Sequence, residues 1–271
     1  MAEFLERRLA TIALCWRLER RDGVALGFTS HDRDLDIGGL RYRAAPGMLP
    51  SAITLSDGFD LDTLDVEGAL TSNAIAAADL RAGRWDGAAV SVFLVDWEAP
   101  DGERVAVARG ELGEVTIRGE AFEAELRGPT AGLERPAAEQ TSPECRAELG
   151  DERCRVDMAP RTLTTRIAAV TGEATVDVAA TAGGNAHGYG RLRWIGGANS
   201  GLETAILRSD GAQLTLREPP PFAPAAGDLV ELREGCDKRL STCAGRFANA
   251  ANFRGEPHLP GIDLLTRYPG A

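Results

Sequence analysis

The fold class is set by residues 89–97, which read AVSVFLVDW. β-branched and aromatic side chains dominate this run, and both favour a strand. Because apolar residues point to both faces, we expect the strand to be covered on both sides and to lie centrally in its sheet. The next two segments, residues 105–117 and 121–127, alternate between apolar and polar side chains, as strands do. The sequence therefore predicts a mainly β fold.

Short strands are also predicted upstream of this run. Residues 15–20 and 24–29 flank an Asp-Gly pair at 22–23, which favours a hairpin turn. A Gly-Gly pair at 38–39 leads into a further strand at 40–44. Together these segments predict a meander of short antiparallel strands.

The proline-rich run PAAEQTSPE at residues 136–144 predicts a domain boundary. Beyond it, short alternating segments separated by glycine turns are typical of a small β-barrel. These segments are residues 163–170, 174–179, 191–195, 204–209, 212–217 and 228–233. The predicted organisation is an N-terminal β domain at 1–136, a linker with the first cysteine pair at 137–160, a β-barrel at 161–233, and an irregular C-terminal segment with the second cysteine pair at 234–271.

Charge and hydrophobicity limit the classes of function. The 271 residues carry a net charge of −11, which argues against wrapping nucleic acid because phosphate binding needs clustered Lys and Arg. An acidic surface would still let a DNA duplex pass without sticking. No apolar run approaches the roughly 20 residues of a membrane span, and residues 1–8 show no signal-peptide core. We expect a reducing cytoplasm, where cysteine pairs indicate metal more often than disulfide.

Four of the five cysteines form two pairs in polar, turn-rich sequence. Cys145 and Cys154 are nine positions apart, and Cys236 and Cys243 are seven apart. Four soft thiolates suit zinc or an iron–sulfur cluster. Unbonded cysteines and two disulfides remain open as alternatives on the residues alone. The fifth cysteine, Cys15, has apolar neighbours and is expected to be a small buried side chain.

The spacing of the pairs bears on the kind of metal. Structural zinc sites usually have paired cysteines about two to four residues apart, whereas wider, irregular spacing fits a bulkier cubane cluster. Five cations adjoin the cysteines and are expected to lower the thiol pKa values. They are Arg146, Arg153, Arg155, Lys238 and Arg239. Zinc and iron–sulfur both remain open on this evidence.

Hydrolase motifs are missing from the sequence. Neither G-x-S-x-G nor H-E-x-x-H occurs, so no catalytic constellation is predicted and a non-enzymatic role is expected. The three histidines, His31, His187 and His258, are weak signals. His187 lies in a glycine-rich run at 183–190 that is expected to be a flexible loop.

Four stretches resemble one protein family. Residues 27–35 (GFTSHDRDL), 66–70 (VEGAL) and 83–88 (GRWDGA) resemble the hub, or baseplate, proteins of gene transfer agents and related long-tailed phages. The closing stretch at 235–261, which runs from GCDKR through NFRG to PHLPG, resembles the family's C-terminal signature and is the most specific of the four. The family is similar to the lambda-type tail-tip protein L, whose C-terminal part holds a four-cysteine iron–sulfur cluster.

The resemblance implies a ligand set: Cys145, Cys154, Cys236 and Cys243 match the ligands of a [4Fe-4S] cluster, with zinc as the alternative, and Cys15 lies outside the motif. It also implies a homotrimeric ring, with a tail-hub β domain, at the tail tip of a virion assembled in the bacterial cytoplasm. The expected partners are the distal tail protein, the tape-measure protein, the receptor-binding tip or tail-fibre protein and, at infection, the host cell envelope. DNA would pass through the channel without specific binding. A redox- or metal-responsive switch and a cell-wall-degrading tail enzyme are the alternative roles.

Overall fold

The computed structural model describes residues 3–6, 11–44, 49–50, 63–69, 75–118, 121–128 and 138–259. The chain divides into two compact units, residues 1–136 and 137–271, and each is described by itself. Strands dominate both units, which confirms the mainly β prediction. Among the helices of the described ranges, none has the length and apolar character needed to cross a membrane.

In its described residues, the first unit contains a 3₁₀-helix (Glu3–Glu6), nine strands and a short α-helix. The elements are β1 (Ile12–Glu19), β2 (Ala25–Thr29), β3 (Leu35–Ile37), β4 (Leu40–Ala44), β5 (Leu49–Pro50), β6 (Thr63–Ala69), α1 (Ala77–Arg81), β7 (Ala89–Asp96), β8 (Arg104–Arg118) and β9 (Ala121–Arg127). The strands form one sheet in the order β3-β4-β2-β1-β7-β8-β9-β6-β5. The run that set the fold class is β7, the fifth strand of the nine, so its predicted central position is confirmed.

Strands β1 and β7 are covered on both faces, which explains their apolar composition. On one face, Trp16 of β1 and Val92 of β7 pack in a cluster with Trp85. On the other face, Cys15 of β1 and Val95 of β7 pack in a second cluster. Cys15 is fully buried, as predicted. Two apolar layers therefore stabilise the middle of the sheet.

The predicted antiparallel meander is wrong at one strand pair. Strand β2 pairs with β4 in parallel, and β3 lies outside β4 at the edge of the sheet. Gly27 allows this pairing, because a Cβ there would lie only 2.8 Å from Cγ of the buried Tyr42 ring. The Asp34 carboxylate braces β4 by accepting hydrogen bonds from Ala44 N and Arg41 Nε. Side-chain alternation predicts strands but not their partners, so the sequence did not reveal this crossover.

The second unit contains the predicted barrel. Its described elements are a 3₁₀-helix (Ala159–Arg161), β10 (Thr162–Gly172), β11 (Thr175–Val178), β12 (Arg191–Trp194), β13 (Glu203–Asp210), β14 (Gln213–Leu216), β15 (Leu229–Arg233), α2 (Leu240–Gly245) and a second 3₁₀-helix (Ala250–Asn252). Six strands close in the order β10-β11-β14-β13-β12-β15. The barrel predicted from the glycine-punctuated segments is confirmed.

Apolar side chains fill the barrel. Those with at most 2 % exposure are Ile167, Val176, Val178, Leu192, Trp194, Ile206, Leu214, Leu216, Val230 and Leu232. They recur at every second position along β14 and β15, which is the period of a strand with one buried face. The indole N–H of Trp194 donates to Thr204 Oγ1 at 3.0 Å, so the polar atom of this large buried ring is also satisfied.

The barrel closes in a way that brings its two chain ends together. Strand β10 pairs antiparallel with β15, and Thr162 at the start of β10 lies opposite Arg233 at the end of β15. The residues before β10 and after β15 therefore leave the barrel side by side. Each leads into a stretch that carries one cysteine pair.

Candidate metal centre

The two stretches that carry the cysteine pairs, residues 138–158 and 235–259, are the cysteine segments. Cys145 and Cys154 lie in the first, and Cys236 and Cys243 lie in the second. All four line one small cavity with a volume of about 10 Å³, which is room for roughly one water molecule. The structure thus brings together the full predicted ligand set. Cys15 lies in the core of the other unit.

Apolar side chains form most of the remaining cavity wall. The wall contains Ala147, Leu149, Val156, Phe247 and Phe253, with Lys238, Arg239 and Asn252 as its polar members. All five cysteines lie in the described part of the chain and carry free thiols, so the disulfide alternative does not match the structure. An apolar wall with nearby cations suits a group whose net charge is negative, as iron–sulfur clusters with thiolate ligands are.

The first segment presents Cys154 from a turn that Asp151 organises. The Asp151 carboxylate accepts hydrogen bonds from the backbone N–H groups of Glu148 at 2.9 Å, Arg153 at 3.0 Å and Cys154 at 2.6 Å. Burial opposes ionisation of Asp151, but these hydrogen bonds outweigh it and lower its pKa. The carboxylate therefore fixes the backbone at Cys154.

The second segment presents Cys243 from α2 and Cys236 from the turn before the helix. Asp237 accepts hydrogen bonds from Arg239 N at 3.1 Å and from Thr242 Oγ1 at 2.9 Å. The Cys243 N–H then donates to Arg239 O at 3.0 Å. One short turn and the start of one helix thus position both cysteines.

Hydrogen bonds join the two segments around the cavity. Cys145 N donates to Lys238 O at 2.9 Å, and Lys238 Nζ donates to Ala147 O at 2.6 Å. Asn249 Nδ2 donates to Cys154 O at 2.6 Å. The last two bonds join residues 91 and 95 positions apart. Each segment therefore depends on the other for its conformation.

An ionic cluster on the outer side adds to this junction. Two Arg146 nitrogens donate to the Glu256 carboxylate at 2.7 and 3.0 Å, and Arg146 Nε donates to Glu139 at 3.0 Å. Ser142 N also donates to Glu256, at 2.8 Å. The hydrogen bonds from Arg146 and Ser142 lower the pKa of Glu256 to about 2. The residue next to Cys145 is thereby tied to the far end of the second segment.

Polar groups also contact the sulfur atoms. Arg254 N donates to Cys145 Sγ at 3.4 Å, and Asn249 Nδ2 lies 3.7 Å from Cys154 Sγ. The Cys243 thiol instead donates to Asn249 O at 3.3 Å. N–H groups directed at sulfur stabilise negative charge there, which is one way proteins tune iron–sulfur clusters.

The thiol electrostatics differ from the sequence prediction. Burial raises the pKa of Cys236, and the backbone N–H of Lys238 offsets only part of this effect. Burial also raises the pKa of Cys243, and negative charge on the other three cysteines adds to the rise. The predicted lowering by cations is therefore wrong for these two thiols, because desolvation and mutual repulsion outweigh it. Such thiols ionise readily only when a bound metal replaces their protons.

Strained backbone is concentrated around the same cavity. Four described non-glycine residues have φ in the left-handed region: Ala248 at +48°, Arg155 at +60°, and Tyr189 and Lys238 at +64°. Three lie in the cysteine segments, and Tyr189 borders two open cavities that Cys236 also lines. Each costs roughly 1–2 kcal/mol. Such strain persists only where the surroundings fix it, and it clusters at functional sites.

The cysteines do not form a site for a single ion. Within the described ranges, no three His, Cys, Asp or Glu side chains are placed to hold a metal ion. One zinc ion needs thiolates about 3.8 Å apart, because each Zn–S bond is about 2.3 Å long. The four cysteines share a cavity without forming such a group, and their role as ligands stays a prediction.

A largely buried ionic cluster that the sequence did not reveal ties the second segment to the barrel. Glu234, which follows β15, accepts hydrogen bonds from Arg161 and Arg246, each at 2.7 Å. Both guanidinium groups lie 4.8 Å from the centroid of the Phe247 ring. Burial opposes ionisation of Glu234, but the two arginines outweigh it and lower its pKa. The available sequence signal was a pair of opposite charges, Arg161 and Glu234, at the two ends of the barrel.

His187 is a second residue whose position the sequence did not reveal. The run 183–190 forms mostly turns, as predicted, but His187 is fully buried, and the prediction of a flexible loop is wrong there. Its Nε2 accepts a hydrogen bond from Ala182 N at 3.1 Å, so the neutral ring carries its proton on Nδ1. Burial lowers the pKa of His187, which keeps the ring neutral.

Comparisons with known proteins agree with this architecture. Residues 1–157 match a family model described as baseplate hub protein, N-terminal attachment domain. Residues 185–263 match a second model, described as phage conserved hypothetical protein BR0599. The structure is similar to a chain in a solved structure described as the virion of a native gene transfer agent particle. The identity is 40% over 98% of this chain and 94% of that chain, with a TM-score of 0.83. No curated protein matches the sequence.

Proposed function

The chain belongs to the baseplate hub protein family, and from that premise we propose that it is the tail hub of a gene transfer agent or a related phage particle. In this proposal it is a structural virion protein that forms a homotrimeric ring at the tail tip. The ring connects the distal tail protein to the receptor-binding tip or tail-fibre protein, contacts the tape-measure protein, and lets DNA pass. The observation that carries the proposal is the 40% identity, over 98% of the chain, to a chain of a gene transfer agent virion.

The first unit is the natural candidate for the ring contacts. The attachment-domain match at residues 1–157 spans this whole unit and continues through Cys145 and Cys154. A net charge of −11 supports a role in which DNA passes without binding, because acidic walls repel phosphate. Attachment through one unit leaves the second unit free for a separate structural task.

That task is to hold a structural [4Fe-4S] cluster. Zinc is the alternative metal, and it would need the four thiols to lie closer together than they do in this structure. Cys145, Cys154, Cys236 and Cys243 would be its ligands. The fit rests on four free thiols that line one cavity with an apolar wall and N–H groups directed at sulfur. When bound, such a cluster supplies four metal–thiolate bonds that cross-link the cysteine segments. Cross-links that close a long loop stabilise mainly by limiting the unfolded chain.

The first test is iron and sulfide analysis, with an absorption spectrum, on protein purified without oxygen. We expect a brown protein with about four irons and four sulfides per chain. Cys236→Ala should lose the cluster, whereas the matched variant Cys15→Ala should keep it, because Cys15 is buried in the other unit. A colourless protein with one zinc would keep the ligand set and remove the iron–sulfur cluster.

Particles test the hub role separately. Particles that carry Cys236→Ala should fail to assemble a working tail tip, and those with Cys15→Ala should deliver DNA normally. Normal delivery by Cys236→Ala particles would contradict a structural cluster. A tail that assembles and delivers DNA without this chain would overturn the hub proposal itself. Cell-wall cleavage by the purified protein, detected in a zymogram, would overturn the non-enzymatic role.

A further inference from the structure

Asn249 contacts one cysteine from each segment, and we propose that it is the positioning residue that sets the reduction potential and retention of the cluster. This inference rests on the proposed [4Fe-4S] cluster. It concerns a residue outside the ligand set, to which neither the cysteine spacing nor the family resemblance assigns a role. All the contacts of Asn249 that matter here lie within the second unit.

The side chain of Asn249 reaches the first segment. Its Nδ2 donates to Cys154 O at 2.6 Å and lies 3.7 Å from Cys154 Sγ. These contacts join residues 95 positions apart, and Cys154 is buried. The Asn249 side-chain amide therefore fixes the backbone of Cys154, a predicted ligand, and places an N–H donor near its sulfur.

The backbone of Asn249 holds the second segment. Its N–H donates to Cys243 O at 3.0 Å, and its carbonyl accepts from the Cys243 thiol at 3.3 Å. Metal binding would replace that thiol proton, but the N–H bond to Cys243 O would remain. Cys154 and Cys243 are the two buried members of the ligand set, so Asn249 ties together its inner half.

A neighbouring amide fixes the orientation of the Asn249 side chain. Asn252 Nδ2 donates to Asn249 Oδ1 at 2.7 Å, so Oδ1 is occupied and Nδ2 must face Cys154. Ala248, the residue before Asn249, has φ +48°. This strained backbone conformation sets the direction in which the Asn249 side chain projects. The hydrogen bond from Asn252 and the fixed backbone at Ala248 thus both restrain Asn249.

Hydrogen bonds to ligand sulfur favour the more reduced, more negative state of a cluster and thus raise its reduction potential. The N–H of Arg254 that faces Cys145 belongs to the backbone and persists in any side-chain variant. Asn249 donates from its side chain, so a substitution removes its hydrogen bond. Loss of an outer residue that orients a ligand typically costs about 10- to 100-fold in metal affinity.

The experiment compares Asn249→Ala with Asn252→Ala in the full chain. Asn249→Ala should shift the midpoint potential to more negative values in an EPR-monitored redox titration. It should also release iron to a chelator about 10- to 100-fold faster. Asn252→Ala removes the bond to Oδ1 but keeps the Asn249 donor, so both effects should be smaller. Asn249→Leu keeps the side-chain size without the donor and without a new charge, and it should shift the potential in the same direction, whether or not the alanine variant folds.

The wild-type protein offers an independent measurement. With ¹⁵N in the asparagine side-chain amides, pulsed EPR of the reduced cluster should detect a ¹⁵N coupling that Asn249→Leu abolishes. A wild-type cluster without this coupling, or with an unchanged potential in both Asn249 variants, would overturn the inference and leave the cluster standing. A wild-type chain without an iron–sulfur cluster would overturn both proposals.

Discussion

The barrel and the cysteine segments belong to the same unit, yet different interactions hold them in place. The barrel buries apolar side chains from all six of its strands, including Trp194 and Leu232 at 0% exposure. In the cysteine segments, the buried hydrophobic side chains are Ala147, Cys154 and Cys243. These segments depend instead on hydrogen bonds between distant residues, such as that from Asn249 to Cys154.

Because of this difference, the two parts of the unit depend on a cofactor to different degrees. Burial of apolar area is non-directional and contributes roughly 25 cal/mol per Å², so the barrel has its own driving force for folding. A hydrogen bond contributes only about 0.5–1.5 kcal/mol net, and three strained residues in the cysteine segments, Arg155, Lys238 and Ala248, oppose the fold around the cavity. We therefore expect the barrel to fold without a metal and the cysteine segments to order fully only with one.

The largest expected effect comes from breaking the barrel core. Trp194→Ala should lower the free energy of unfolding by about 3–5 kcal/mol, because it leaves a cavity and removes a large buried ring. Denaturant unfolding, with hydrogen exchange of individual segments, measures it. Trp194→Phe is the matched variant: it keeps most of the ring but leaves Thr204 without the indole donor, so its cost should be smaller.

Hydrogen exchange then decides whether the comparison holds. If Trp194→Ala weakened only the cysteine segments and left the barrel amides protected, the barrel would not be the independently stable part. That result would contradict the expectation that the barrel folds on its own and that the cysteine segments are the part that needs a metal.

The second test sharpens the comparison at the junction of the two parts. Glu234→Gln should cost about 2 kcal/mol, because it leaves the partly buried Arg161 and Arg246 cations without their shared carboxylate. Exchange should rise first around α2, which Arg246 follows. The control is Glu203→Gln, whose partner Arg191 is 3.4 Å away and where both side chains are well exposed. Exposed pairs of this kind are worth about 0–1 kcal/mol. Equal losses of unfolding free energy in the two variants would therefore contradict a stabilising role for the Glu234 cluster.

How much the sequence predicted follows the same division. The barrel strands were predicted because alternating side chains and glycine turns are local signals, and the buried faces of β14 and β15 carry them plainly. The strand partner of β4 was not predictable, because the fit of Tyr42 against Gly27 depends on a close approach between strands. Whether a segment forms a strand depends on neighbouring residues, whereas the choice of its partner strand depends on residues far away in the sequence.

The candidate site divides in the same way. The four cysteines were identified from residue type and family resemblance, and they do line one cavity. The groups that hold them were not predicted, because Asn249 and Cys154 meet across 95 positions of sequence. The raised thiol pKa values were missed as well, since counting nearby cations ignores desolvation.

The smallest expected effect tests the barrel's own polar contact, the buried His187. Burial lowers the pKa of His187 in the folded protein, whereas the unfolded chain has the ordinary histidine value of about 6.5. The unfolded state therefore binds the proton more readily, and the stability contributed by the neutral ring is present above about pH 6.5 and is lost as the pH falls through the folded pKa.

His187→Gln, which can still accept from Ala182 N, should weaken this dependence in denaturant unfolding measured from about pH 8 to about pH 5. The exposed His258→Gln should keep it. Carboxyl groups that titrate in the same range affect both variants alike, so the difference between them isolates His187. A pH dependence unchanged in His187→Gln would mean that the ring is protonated or solvated in the folded barrel, and that its interior is less dry than the burial of Trp194 and Leu232 indicates.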